Sequence, residues 1–548
     1  MPASEGENWI VTESAGSHLQ HVNIRRRHAY NILKSLNVSK ATGPDGIPAR
    51  ILKEIASEIA WAVMIIARRI LHEGHWPESW RHHHLVPIYK RAIVHRASNY
   101  RGVHITNMLS KTIERIIGHP LLNFFRSNCS YGLHQWAYSK NRSSKDLITL
   151  LMCSWMYAIS EGKCIGAYLS DISGAFDRVF TPYLLSKLRQ LGLSSLYIDF
   201  LESYLERRTG QVVVGGAKSR SIPLEHQVFQ GTVLGPPLWN IFFADIISAA
   251  TVSGAQGKAF ADDFNCFKAF DRKVRDKTIQ NHLNTCRSNA HAWGRKHRVV
   301  FEASKEAFVV LHPRRGWGEN FKLLGLVIDA RLTMEDGIAS LLQKARPKAR
   351  SLLRSRKYYS MSDMIMQFKT HGLGILEANI GGIYHASQHA LGPLDRIPTT
   401  FVHALNLEVE EAFLKFNLAP LALRRDIAML GFLHKLNLPD SHVDIRALFP
   451  YKPCISGDGH NKQFWQLPIM QRNMQHPELL RRSIFNLVPV YNKLPQHVID
   501  QSSVHDFQKK LTAAARYKCM NHHTDWNTFL SARSHDSQYL DRWQSIFQ

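Results

Sequence analysis

The apolar positions change period several times along the chain, and each change marks an element. Residues 22 to 71 keep helical spacing, broken only by "KATGPDGIP" (Lys40 to Pro48), where two glycines and two prolines in nine residues force a turn-rich loop. "HHHLVPIYK" and "NYRGVHIT" (Asn99 to Thr106) read as two short strands, and "MLSKTIERIIGHPLLNFF" returns to helix. "CIGAYLSDISGAF" (Cys164 to Phe176) is a strand up to Asp171 that bends at Ser173-Gly174. Two amphipathic helices, "YLLSKLRQLG" and "SLYIDFLESYLERR", precede two strands, "TGQVVVGG" and "SIPLEHQVFQG", joined by a glycine-rich turn. "PLWNIFFADIISAA" is helical. "KAFADD" with "FNCFKAF" then predicts a hairpin carrying Asp262 and Asp263 at its tip. A helix, "HLNTCRSNAHAWGRKH", and strand-like "VVFEASKEAFVVL" and "FKLLGLVID" follow, and from about residue 340 the chain reads as helical and basic, with "SMSDMIMQFKTHGLGILEANIGGIYHA" a packed helical pair.

This alternation excludes two common enzyme classes. There is no GxGxxG and no Walker loop, so neither a dinucleotide fold nor a P-loop enzyme is supported, and no HExxH occurs. The most apolar stretch, Ile59 to Leu71, is too short to span a bilayer and carries Arg68 and Arg69. The first residues lack a basic segment followed by an apolar one, so no signal peptide is expected. Seven cysteines without CxxC pairing suit reduced thiols in a nuclear or cytoplasmic setting. "CMNHH" (Cys519 to His523) lacks standard zinc-ligand spacing.

Charge and length narrow the picture. The 548 residues hold 69 Lys+Arg against 44 Asp+Glu, a net charge of +25, spread along the chain rather than gathered in one tail. Such an excess points to a polyanion, with nucleic acid first among them and membrane not expected. Against that background the two adjacent acids of the hairpin stand out, because a carboxylate among buried apolar residues needs a cation or must neutralise itself. Asp171, another isolated acid ending an apolar strand, is the natural complement. Three carboxylates brought together become tolerable when a divalent cation neutralises them, which is the requirement of metal-dependent phosphoryl transfer. A DD pair in a loop is also the ordinary signature of a solvated turn, and both readings stand on spacing alone.

Ordered motifs favour the first. "SDISGAFDRV" (Ser170 to Val179), "FQGTVLGPPLWNIFFADI" (Phe229 to Ile246) and "AFADDF" (Ala259 to Phe264) resemble the core motifs of reverse transcriptases. With "KATGPDGIP", "LVPIYK", "NYRGVHITNMLSKTIERII", "HQWAYSKNRSSKDLI", "FEASKE" and "FKLLGLVID", the set resembles the non-LTR, LINE-type retrotransposon branch over residues 22 to about 345. The likeness continues more weakly through "LAPLALRRDIAML" and "RRSIFNLVPVYNKLP".

The resemblance implies an α+β right-hand polymerase with an antiparallel palm sheet. Its parts would be an N-terminal tail (1–21), fingers (22–163), palm (164–345, with interleaved fingers segments), a helical thumb (346–440) and a connector-like C-terminal region (441–548). It implies Asp171, Asp262 and Asp263 as catalytic acids and ligands of Mg²⁺, with Mn²⁺ as substitute. Lys90, Arg101, Phe176, Gln230, Gly231 and Lys305 become substrate-binding residues, and Arg142 a nucleic-acid contact. In that scheme Phe176 excludes a 2′-hydroxyl and Lys305 protonates the leaving group. The partners implied are an RNA template, a DNA primer or template and deoxynucleoside triphosphates; the alternative is a catalytically inactive nucleic-acid-binding remnant.

Several residues depart from the usual pattern. Phe260 stands where Tyr is commoner, Gly102 and His104 where Pro and Ser are usual, and Ala137 and Ser139 for Gly and Arg. Trp239 stands for Phe, and the run His82–His84 reads as drift. Only some twenty residues precede the fingers motifs, so an N-terminal nuclease is not expected, and neither a zinc knuckle nor a ribonuclease H domain is apparent. The basic run "KARPKARSLLRSRKYY" suits a helix gripping a nucleic-acid backbone.

Overall fold

Apolar runs bounded by Gly, Pro and Asn become strands in the computed structural model, and the 3.6-residue patterns become helices. The structure describes residues 19, 23–90, 93–252, 254–439, 441–453, 460–467, 474–531 and 533. The expected tail of residues 1–21 lies outside the described residues except for Leu19. The strands are β1 (His82–Tyr89), β2 (Tyr100–Ile105), β3 (Lys163–Ser170), β4 (Arg208–Val214), β5 (Ala217–Lys218), β6 (Ile222–Leu224), β7 (Gln256–Phe260), β8 (Asp263–Asp271), β9 (Ala307–Leu311), β10 (Phe321–Leu323) and β11 (Leu326–Ile328). The result is a mixed helix-and-strand fold whose sheets are largely antiparallel.

The chain divides into two units. The first holds residues 1–140, 169–266 and 284–306; the second holds 141–168, 267–283 and 307–548. In the first, β1 pairs antiparallel with β2, in a register placing Ile88 opposite Arg101, and parallel with β4, which also pairs with β5 and β6. Helices Arg26–Lys34, Ala49–Glu54 and Ala56–Glu73 flank the Lys40–Pro48 loop as the pattern predicts. The last of them stops at Gly74, whose left-handed φ of 60° suits a helix terminus.

A four-stranded sheet has the order β7-β8-β3-β9. Asp263–Cys266 at the start of β8 and Leu169–Ser170 at the end of β3 belong to the first unit. β3 is buried along nearly its whole length, which its unbroken apolar run requires of a central strand.

Three strand expectations are corrected. "SIPLEHQVFQG" is a strand only over Ile222–Leu224, because His226 adopts a positive φ of 48° that ends the ladder. "VVFEASKEAFVVL" splits at a 3-10 turn, Ala303–Lys305, before β9. "FKLLGLVID" is a hairpin of β10 and β11, turning through positive φ at Leu324 and Gly325.

In the second unit, helix Ser144–Ser160 was not marked by periodicity because it is apolar on nearly all sides and buried. Ser143 caps it, accepting from the Asp146 N–H while its hydroxyl donates to the Asp146 carboxylate at 2.6 Å. The basic run forms helix Glu335–Arg354, beyond which Tyr358 and Tyr359 are exposed. The expected helical pair after it is instead helix Met361–Phe368 running through a π-helical turn, Lys369–Leu373, into shorter pieces. Among the described residues no helix is long and apolar enough to cross a membrane.

Candidate active site

The hairpin exists where the alternation placed it. β7 ends at Phe260, β8 begins at Asp263, and the turn between them is Ala261-Asp262, with Ala261 at a φ of 57°. A left-handed alanine costs on the order of 1 kcal/mol, so the turn needs external support. Gln135, 2 % exposed, supplies it. Its Oε1 accepts from the N–H groups of Ala261 and Ala137, both at 3.0 Å, and its amide donates to the Ala261 carbonyl at 3.3 Å. The Trp239 indole N–H donates to the same carbonyl at 3.0 Å. Residues 134–136 run alongside β7, with His134 O accepting from the Ala259 N–H at 3.0 Å and Trp136 N–H donating to Ala259 O at 2.9 Å.

Asp171 leaves β3 where the chain bends. Its carbonyl accepts from the Glu302 N–H at 2.9 Å, and the Ser173 N–H donates to Val300 O at 3.1 Å. This pairing carries the turn Ala303–Lys305 to the carboxylate, and the Lys305 ammonium ion-pairs with Asp171. Asp262 feels the same surroundings. Burial first, then the neighbouring Asp171 carboxylate, raise its pKa above the ordinary value, opposed by its own backbone hydrogen bond, Arg101 and Lys305.

Two acids and two cations therefore meet at the hairpin tip. Tyr138 joins them: burial and then the Asp262 charge raise its phenol pKa, while Arg101 lowers it. Asp263 opens β8 and is half-buried, and among the described residues no three acidic, His or Cys side chains gather as a metal-ligating group. What the structure brings together is the pair Asp171 and Asp262. Their hard oxygen donors and mutual crowding fit a divalent cation of the Mg²⁺ class.

The other expected residues distribute around this point. The bend at Gly174, φ 62°, leads into a 3-10 turn Ala175–Arg178, on which half-buried Phe176 stacks against Trp239 with ring centroids 5.8 Å apart and planes at 18°. The Gln230 carbonyl accepts from the His104 N–H at 2.8 Å. Gly231 is exposed, with φ 111°, and a Cβ there would lie 2.7 Å from the His104 carbonyl oxygen. Arg101 acts on Asp262, whereas Lys90 acts on Asp177, whose carboxyl burial raises and Lys90 lowers. Arg142 belongs to the second unit and is half-buried.

Comparison with known proteins decides the family. Residues 88–328 match the family described as reverse transcriptase (RNA-dependent DNA polymerase). These residues form a reverse transcriptase domain.

Relatives of this domain include an RNA-directed DNA polymerase from the mobile element jockey of Drosophila melanogaster, 26 % identical over 339 residues, 58 % of this chain and 36 % of the relative. The jockey protein of Drosophila funebris is 25 % identical over 394 residues, 67 % of this chain and 42 % of the relative. A probable RNA-directed DNA polymerase from transposon BS of Drosophila melanogaster is 28 % identical over 41 % of this chain and 25 % of the relative. The chain thus spans less than half the length of these curated relatives, and the LINE-type resemblance read from its motifs is borne out. A solved apo telomerase from Candida tropicalis, truncated from its C-terminal domain, aligns with a TM-score of 0.34 and 12 % identity over 52 % of this chain and 59 % of that one, too low to bear on the fold.

The departures within the reverse transcriptase domain acquire physical reasons. Trp239 adds an indole N–H that a Phe would lack, and spends it on the hairpin turn. The histidines are not drift. His83 and His104 are buried and face each other, Nδ1 to Nδ1, at 3.0 Å. Arg208 donates to His83 Nε2 at 2.9 Å, so His83 carries its proton on Nδ1 and donates it to His104. Burial, then the Arg208 charge, hold His104 down to about 4 and push His83 well below its ordinary value, so the neutral form of both rings is favoured. The sequence reading missed Gln135 and Tyr138; the available signal was a glutamine set between Trp136 and His134 just before a residue that the motif makes aromatic.

Proposed function

We propose that the chain is the RNA-directed DNA polymerase of a non-LTR retrotransposon, extending a DNA primer on an RNA or DNA template. The observation that carries this reading is the meeting of Asp171 and Asp262 with Arg101 and Lys305 at the tip of a braced hairpin, inside a reverse transcriptase domain. The reaction joins the primer 3′-oxygen to the α-phosphorus of a deoxynucleoside triphosphate and breaks the bond to the departing pyrophosphate. Asp171 and Asp262, with Asp263 next to Asp262 in the chain, would hold the divalent cation, which would offset negative charge on the reacting phosphates.

The chain's own groups do the rest. Arg101 and Lys90 hold the triphosphate, Arg through paired N–H donors. Lys305, which ion-pairs with Asp171, stands ready to give a proton to the pyrophosphate oxygen. Phe176, its ring fixed against Trp239, fills the space a 2′-hydroxyl would need. Gln230 and the bare backbone of Gly231 let the nucleotide or template approach closely. Arg142 and the basic helix Glu335–Arg354 bind the nucleic-acid backbone. The right-hand assignment follows the same reading: fingers within 22–163, palm within 164–345, thumb 346–440 and a connector beyond, in a nuclear or cytoplasmic setting.

The test is dTTP incorporation on poly(rA)/oligo(dT) with Mg²⁺, beside Asp262→Ala. Incorporation by the parent and its loss in the variant support the assignment. Equal incorporation by the two removes the proposed metal site, and none by a folded parent leaves the binding-remnant reading.

A further inference from the structure

A pocket of about 400 Å³ lies wholly within the second unit, remote in sequence from every catalytic motif. Arg425, Arg482 and Arg533 line it together with Asp426, Asn527 and Thr528. Three guanidinium groups around one cavity demand an account of their charge.

Two of them are committed. Arg425 makes a bidentate pair with Asp395, at 2.5 and 2.8 Å. Arg533 donates to the carbonyls of Ala386, at 3.0 Å, and Tyr384. Asp426 answers their field: Tyr384 donates its hydroxyl to it at 2.6 Å, and burial raises its pKa to about 6 against the pull of Tyr384, Arg425 and Arg533.

Arg482 is different. Among the described residues its Nε is buried with no hydrogen-bond partner, and its charge adds to the positive field that lowers the pKa of Arg533 and His385. An uncompensated guanidinium at a cavity wall is costly unless an anion completes it. The amide of Asn527 adds a neutral group suited to phosphoryl oxygens. The fork of an arginine matches a tetrahedral oxyanion, and the volume exceeds what one phosphate needs, leaving room for an attached sugar.

We propose that this pocket is a phosphate-binding site, with Arg482 as the principal donor and the nucleic-acid backbone or free phosphate as the source of the group. The site lies outside the reverse transcriptase domain and does not depend on the polymerase reading. It gives a binding role to Arg482 of "RRS" and sets it beside Arg425 of "RRD".

The test uses the full chain with Arg101→Gln, so that phosphate taken up at the candidate active site is not counted. Calorimetric titration with inorganic phosphate, and separately with a thymidine octanucleotide, compares this parent with Arg482→Gln and Asn527→Asp. Both variants should weaken phosphate binding at least tenfold, the loss of a charge-assisted hydrogen bond. Neither should melt at a lower temperature without phosphate, because one removes an unpaired charge and the other gives it a carboxylate. Parallel loss of octanucleotide binding identifies the backbone as the source; unchanged octanucleotide binding identifies free phosphate. Folded variants that bind phosphate as the parent does would overturn the proposal, as would a parent that binds none.

Discussion

Replacing Asp262 by Asn should stabilise the cation-free protein at the very point where it destroys the proposed chemistry. Asp262 is held at a raised pKa by burial and by Asp171. Two like charges at contact distance in an effective dielectric of about 20 repel by at most about 4 kcal/mol. Arg101 and Lys305 return part of this, and the raised pKa of Asp262 means that a net penalty on its ionised form remains. The sign follows from linkage. A carboxyl whose folded pKa is raised favours the fold when protonated and loses that contribution as pH rises through the folded pKa. The advantage of Asp262→Asn should therefore be larger at pH 8 than at pH 4, shrinking as the pH falls through the raised folded pKa towards the ordinary carboxylate value. Hydrogen exchange of the β7 and β8 amides in EDTA, read at both pH values after correction for intrinsic rates, measures it locally. Slower exchange in the variant at pH 8 and a smaller difference at pH 4 are expected. Faster exchange in the variant at pH 8, or an equal gain at both, refutes the reasoning.

Gln135→Ala removes two hydrogen bonds from the hairpin turn and a third from Ala137, and should cost about 2–3 kcal/mol, read by urea denaturation, with incorporation lowered but not abolished. Gly231→Ala drives a Cβ to 2.7 Å from the His104 carbonyl at a φ that side chains rarely adopt; a melting-temperature drop equivalent to about 1–3 kcal/mol is expected. Phe176→Ala should leave dTTP incorporation measurable while raising ribonucleotide incorporation at least tenfold in a primer-extension assay; unchanged discrimination removes the gate assignment.

Much of the site was legible because its acids interrupt apolar runs. Asp171 at the end of β3 and Asp262 in the β7–β8 turn could be placed from alternation and then matched to motifs. The supports were harder. Gln135 acts through a turn 126 residues away, and nothing in local periodicity links it to Ala261. His83 and His104 read as noise singly and make sense only across the β1–β2 ladder, with Arg208 arriving from β4. Helix Ser144–Ser160 shows the converse limit, since a helix buried on nearly every side loses the amphipathic period that would announce it. The arginine pocket assembles residues from positions 384 to 533, a range over which spacing carries no information about contact.

The most direct test of the paired carboxylates is Mn²⁺ binding followed by electron paramagnetic resonance, in wild type, Asp171→Asn and Asp262→Asn. Wild type should remove free Mn²⁺ from the spectrum at a site that either substitution weakens at least tenfold. Variants that bind Mn²⁺ as tightly as wild type would contradict the claim that these two side chains share one cation.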